Sequence, residues 1–100
     1  MSSYTLTNAA RADLKSIAAF TQKRWGRDQR FRYASQFDEA FELLAESPEV
    51  GHRCDAVKLG YRKFANGSHL IFYRSVSEVE IEIVRILHKR MDARNHVEAT

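Results

Sequence analysis

The chain has 100 residues, 44% apolar, 11% aromatic and 29% charged, with 16 lysines and arginines against 13 acids for a formal net charge of +3. That length allows one domain over residues 1–100 with a modest core, and the aromatic content argues against a disordered chain. The lone Cys54 excludes an internal disulfide, and no apolar run approaches the roughly 18 residues of a membrane span.

The N-terminus shows no apolar core of a secretion signal. A soluble cytoplasmic protein with no membrane partner is therefore expected. The charge is uneven: residues 1–50 carry seven basic and seven acidic side chains, and residues 51–100 carry nine and six. The excess lies in the second half, where it would attract a polyanion or an acidic peptide.

Tyr4-Thr5-Leu6-Thr7 is short, β-branched and aromatic, and predicts a strand. Thr7 or Asn8 can cap the helix that follows. From Ala9 to about Trp25, the residues Ala10, Leu14, Ile17, Ala18 and Thr21 fall at helical spacing, with Arg11, Lys15, Gln22 and Lys23 on other faces. Gly26 suits the position just past the helix end. Trp25 beside it is expected to anchor the helical hairpin.

A second helix is predicted from near Asp28, with Tyr33, Phe37, Ala40, Phe41 and Leu44 as its buried stripe and Arg30, Gln36, Asp38, Glu39 and Glu42 wet. Ser47-Pro48 stops it, because a proline disfavours helix at the preceding residue. A link of one to three residues makes the two helices an antiparallel hairpin. Glu49–Val57 has no periodicity and reads as a loop.

Three strands are predicted over about 58–64, 68–74 and 79–87. Asn66-Gly67-Ser68 between the first two is hairpin chemistry, since Asn and Gly tolerate positive φ. In the third, Val79, Ile81 and Ile83 alternate with Glu80 and Glu82, after which Val84, Ile86 and Leu87 place apolar groups on both faces. That pattern suits a strand running from an exposed end into the middle of a sheet. The tail, Lys89–Thr100, is polar, with a short helix expected around Met91–Asn95. The order β-α-α-β-β-β describes an α+β fold, a helical hairpin packed on a small, mainly antiparallel sheet.

The four histidines lack zinc spacing, Cys54 has no second thiolate, and an arginine interrupts His52-Arg53-Cys54-Asp55, so no metal and no cofactor are expected. A Cys54–His nucleophile has no supporting motif. There is no Gly-rich phosphate loop, and Gly67-Ser68-His69 lacks the strand–turn–helix setting of a nucleophile elbow. Arg62, Lys63, His69, Arg74, Arg85, His88, Lys89 and Arg90 form a basic constellation on the three-strand meander or its end. Such a set fits either an outward face that is solvated or binds a partner, or a site for RNA cleavage, in which His69 and His88 move protons and Arg62 or Arg90 steadies the phosphate.

Leu14–Ile17, Arg24-Trp25-Gly26, Ser47-Pro48, Gly60-Tyr61-Arg62, Gly67-Ser68-His69, Phe72-Tyr73-Arg74 and Arg85-Ile86-Leu87-His88 occur in register over nearly the whole chain. This ordered set resembles the ParE branch of the RelE/ParE toxin superfamily. The resemblance implies the RelE/ParE-like fold and a toxin of a type II toxin–antitoxin pair, of the kind that serves plasmid or chromosomal stability. It further implies neutralisation by a ParD-like ribbon-helix-helix antitoxin whose C-terminal segment wraps the toxin. It also implies DNA gyrase as the target, with no catalytic residue and no direct DNA binding by the toxin alone.

RelE-type relatives cut messenger RNA on the ribosome with a cluster of cations and a C-terminal tyrosine. Here His69 stands where an arginine is expected and the tail carries no tyrosine, which favours the gyrase branch. The alternatives are a RelE-like ribosome-dependent mRNA endonuclease and a non-toxic module that only sequesters antitoxin. On the gyrase reading, the target-binding candidates are Arg62, His69, Arg74, His88 and Arg90. The antitoxin-binding candidates are Leu14, Ala18, Trp25 and Phe37, of which Leu14 and Phe37 equally suit the core.

Overall fold

The computed structural model describes residues 2–97; the last three residues of the predicted polar tail lie outside them. Strand β1 (Ser3–Leu6) leads into helix α1 (Asn8–Trp25) and helix α2 (Arg27–Glu46). A 3-10 turn at Pro48–Val50 follows, then β2 (His52–Arg53), β3 (Tyr61–Asn66), β4 (His69–Ser75), β5 (Glu80–His88) and a short helix α3 (Ala93–Val97). The sheet order is β1-β5-β4-β3-β2, with β1 parallel to β5 and every other pair antiparallel. This is the predicted architecture of a helical hairpin on a small, mainly antiparallel sheet.

Three boundaries differ from the sequence reading, one of them the tail helix, which runs Ala93–Val97 rather than around the expected Met91–Asn95. The segment read wholly as loop contains the 3-10 turn and the two-residue edge strand β2, too short for periodicity to register. Strand β3 begins at Tyr61 because Cys54–Gly60 is taken up by turns: the carbonyl of Cys54 accepts from the N–H groups of Val57 and Lys58, and Asp55 Oδ1 accepts from Gly60 N.

The helices form where the sequence supplies their ends. Thr7 caps α1, its Oγ1 accepting from Ala10 N at 3.0 Å. Gly26 alone joins the helices at φ +96°, a backbone region that side-chain-bearing residues avoid. One face of the sheet meets the hairpin. There Ile71, Tyr73, Ile81, Ile83 and Ile86 pack with Ala10, Phe37, Ala40, Phe41 and Leu44. The other face carries a smaller cluster of Cys54, Tyr61, Phe72, Val84 and Leu87, closed by Val97 of α3.

Polar bonds fix the hairpin on the sheet. The β4–β5 register shifts between Phe72 and Tyr73, which pair with Arg85 and Ile83, so Val84 is an extra residue, a β-bulge. The bulge carbonyl, Val84 O, accepts from Thr7 Oγ1 at 2.7 Å. Asp13 of α1 accepts from Arg85 Nε and Nη2 at 2.8 and 2.9 Å and from Ile86 N at 2.9 Å. At the far end, buried Tyr73 donates to Pro48 O at 2.6 Å and accepts from Gly51 N at 2.9 Å. A Cβ on residue 51 would overlap that hydroxyl, so the close approach requires glycine.

Asp13→Ala would leave a mostly buried guanidinium and the Ile86 amide without their acceptor. Chemical denaturation of this variant should show a loss of about 2–4 kcal/mol in unfolding free energy. A loss below about 0.5 kcal/mol, the range of ordinary surface substitutions, would contradict the pinning role.

Candidate docking groove and histidine pocket

The hairpin does not close over its own seam. A groove of about 380 Å³ runs between α1 and α2. Leu14, Ile17 and Ala18 line it from α1, and Phe31, Ala34 and Phe37 from α2. Arg11, Lys15 and Arg30 stand along it against one acid, Asp38. Phe31 is 60% exposed, and Phe20 and Trp25, both 65% exposed, continue the apolar surface toward the hairpin tip. A contiguous apolar surface with a cationic border is the form of a protein-docking site.

A second cavity of about 310 Å³ adjoins the groove, since Thr21 and Tyr33 line both. Its remaining walls include Phe20, Arg24, Trp25, Gln29 and Ser68, together with His69 and His88. His69 and His88 are register partners on β4 and β5, their rings edge to face at 5.5 Å. Tyr33 Oη lies 2.6 Å from His69 Nδ1 and donates to Asn66 O at 3.2 Å. His88 Nδ1 accepts from Arg90 N at 3.1 Å. Burial first, and the neighbouring His88 second, hold His69 below its ordinary value, with Asp13 opposing them; burial pushes the Tyr33 hydroxyl up.

The residues singled out in sequence divide as follows. Leu14, Ala18 and Phe37 share the groove, where Phe37 is also core at 2% exposure. Trp25 lies in the adjoining cavity instead. It does not anchor the hairpin as expected: Gly26 makes the turn so tight that the indole at the helix end projects into solvent, with Arg24 over its ring at 5.3 Å.

The basic candidates do not converge. Arg62 sits opposite Tyr73 and donates to Gly51 O at 2.8 Å. Arg74, on the other face of the sheet from His69 by strand alternation, pairs with Glu82 at 3.0 Å. His69 is four residues along β4 from Tyr73, or about 13 Å at strand rise. His69, His88 and exposed Arg90 form one group at the other end of the meander.

Cys54 is buried and its thiol is pushed up by that burial, which suits a packing role. Among the described residues, no cluster of three His, Cys, Asp or Glu could hold a metal ion. No helix there is long and apolar enough to cross a membrane.

Sequence reading missed Asp13, Phe20, Phe31 and the Tyr33–His69 bond. Asp13 left a trace, an acid at i+3 from Ala10 and i−4 from Ile17 on the helix's inward stripe. The Tyr33–His69 bond joins residues 36 apart in the chain, so no local pattern could have revealed it.

A helical hairpin packed on a mainly antiparallel sheet, with an open apolar groove along the hairpin, defines a small α+β protein that carries a surface of protein-docking form. The comparisons narrow this class. The family model "ParE toxin of type II toxin-antitoxin system, parDE" matches residues 4–93. Toxin ParE1 of Mycobacterium tuberculosis H37Rv is 44% identical over 91 residues, covering 91% of this chain and 93% of that protein. Toxin ParE1 of Caulobacter vibrioides is 40% identical over 97 residues, covering 97% and 99%. A solved chain of the chromosomal ParDE TA system from P. aeruginosa shares the fold, with a TM-score of 0.73 at 23% identity over 88% of this chain and 96% of that one. The chain belongs to the ParE toxin family of type II toxin–antitoxin systems.

The depressed His69 has a consequence for stability. Between its folded value and the ordinary 6.5, the unfolded chain binds more protons than the folded one. The contribution is therefore present at neutral pH and is lost as pH falls. Unfolding free energy should decline from pH 7 toward pH 5, and His69→Gln should flatten that decline. An identical pH profile in the variant would remove His69 from the explanation.

Proposed function

We propose that this toxin acts in the cytoplasm by gripping DNA gyrase, without catalysing a reaction, and is neutralised by a ParD-like ribbon-helix-helix antitoxin. The observation that carries the non-enzymatic reading is the dispersal of the cations. Phosphoryl transfer needs several positive groups aimed at one phosphate, whereas Arg62 is tied to Gly51 O and Arg74 to Glu82 on the opposite face. The gyrase contact is best placed at the free end of the meander, around His69, His88 and Arg90, with Arg62 and Arg74 peripheral to it.

The open groove supports the antitoxin reading. A segment that orders on binding must bury enough apolar area to offset its lost entropy. Leu14, Ala18 and Phe31 offer that area, and covering Phe31 alone contributes about 1–2 kcal/mol. Arg11, Lys15 and Arg30 favour an acidic amphipathic segment. Trp25 extends the same surface at its end.

Purified toxin should inhibit supercoiling by gyrase or trap cleaved DNA, and Arg90→Ala should weaken that effect at least several-fold while leaving the fold intact. Gyrase that is neither inhibited nor trapped on cleaved DNA, or site-specific cleavage of messenger RNA in a translating extract, would overturn the proposal. Absence of growth arrest on expression would instead indicate a module that only sequesters antitoxin. Ala18→Glu, which sets a carboxylate in the apolar groove, should weaken the antitoxin complex by about a hundredfold. Titration of the two purified proteins checks it, and unchanged affinity would move the antitoxin off the groove.

A further inference from the structure

We infer that the cavity walled by Arg24, Tyr33, His69 and His88 is a carboxylate-binding subsite, which takes an ionised Asp or Glu side chain from the antitoxin segment that fills the groove, while His69 takes up a proton from solvent as that side chain enters. The inference rests on the antitoxin reading above and adds to it a ligand chemistry and a proton.

Continuity places the ligand. Thr21 and Tyr33 line both the groove and the cavity, so a segment running along the groove toward the hairpin tip reaches the cavity next. Charge selects its chemistry. The wall carries the Arg24 guanidinium, two imidazoles, a serine and a glutamine, and among the described residues no acid lines it. Asp13 of α1 is the acid whose field raises His69, but its two oxygens are already held by Arg85 and Ile86 N. The cavity is thus cationic and lacks a counter-ion of its own.

The hydrogen-bond network supplies a donor. His88 Nδ1 accepts from Arg90 N, which leaves Nε2–H of this imidazole to point elsewhere. With Tyr33 donating to Asn66 O at 3.2 Å, its oxygen is the acceptor for His69 Nδ1–H across 2.6 Å, the tautomer on which the proposal is built. Nε2 of His69 is then the bare nitrogen, and protonation there breaks no bond already made. The groups around His69 are Asp13 and Arg24 from α1, Tyr33 from α2, its register partner Asn66 from β3 and His88 from β5. In the free protein, burial above all keeps His69 neutral near pH 7. A carboxylate beside it reverses that balance, so binding takes up a proton and affinity rises as pH falls.

Calorimetric titration of the toxin with its purified ParD-like antitoxin, in phosphate and in Tris at pH 7, tests the proposal. The expected result is uptake of close to one proton per toxin bound, with affinity rising up to about tenfold per unit from pH 8 to pH 6. His69→Gln should abolish the uptake while the complex still forms. Arg24→Gln, on the exposed helix surface, should lower affinity about tenfold at low salt. An NMR titration of the wild-type His69 ring should place its pKa higher in the complex than in the free toxin, and this readout stands even where His69→Gln fails to fold. Complex formation without proton uptake, or an unchanged or lower His69 pKa in the complex, overturns the carboxylate subsite and leaves the antitoxin reading intact. Failure of any complex to form overturns both.

Discussion

The position of the helical hairpin depends on one carboxylate. Asp13 receives a bidentate pair from Arg85 and the backbone amide of Ile86, just past the bulge at Val84. A bulge leaves strand groups outside the ladder, and buried backbone groups need partners. Here the partners come from α1: the cap residue Thr7 takes Val84 O and, two turns on, Asp13 takes Ile86 N. The irregularity in β5 and the start of α1 therefore fit each other.

Once α1 is fixed, Gly26 returns α2 at once, so the two helices lie side by side with nothing inserted between them. Their inward stripes close on Ile71, Tyr73, Ile83 and Ile86. The stripes are wider than that contact, however, and their outer margins, Leu14, Ala18, Phe31 and Ala34, form the groove. Core and docking surface are thus continuous, and Phe37 belongs to both. The polar row Asn66, His69 and His88 closes the end of the sheet where Tyr33 descends from α2. It marks where the apolar interior stops and the cationic cavity begins.

Much of this was legible in the chain. Ala10, Phe37, Ala40, Phe41 and Leu44 read as inward-facing from periodicity alone, and Asn66-Gly67-Ser68 located the β3–β4 turn, because these signals lie within a few residues of one another. Beyond the residues already named as missed, three features were not legible, for reasons of distance or scale. The two-residue strand β2 is shorter than any period. Arg62 and Arg74 look alike in sequence, and only the register sends one to Gly51 O and the other to Glu82 on the far face. Trp25 read as an anchor because a buried tryptophan is the common case, but a one-residue link leaves no room to fold the indole back beneath the helices.

On the proposed reading, neutralisation and target binding meet on one surface. The end of the meander proposed to meet gyrase, His69, His88 and Arg90, is also one wall of the cavity at the end of the groove. A segment seated along the hairpin and ending in that cavity would cover the first two of these residues and sit beside the third. Antitoxin and gyrase would then compete for one small area without any change of the toxin's shape, and the coupling between them would be steric. In such an arrangement the groove supplies affinity through apolar burial, which is not selective by itself. The cavity supplies register, because a single carboxylate matched to Arg24 and His69 fixes how far the segment has slid along the hairpin.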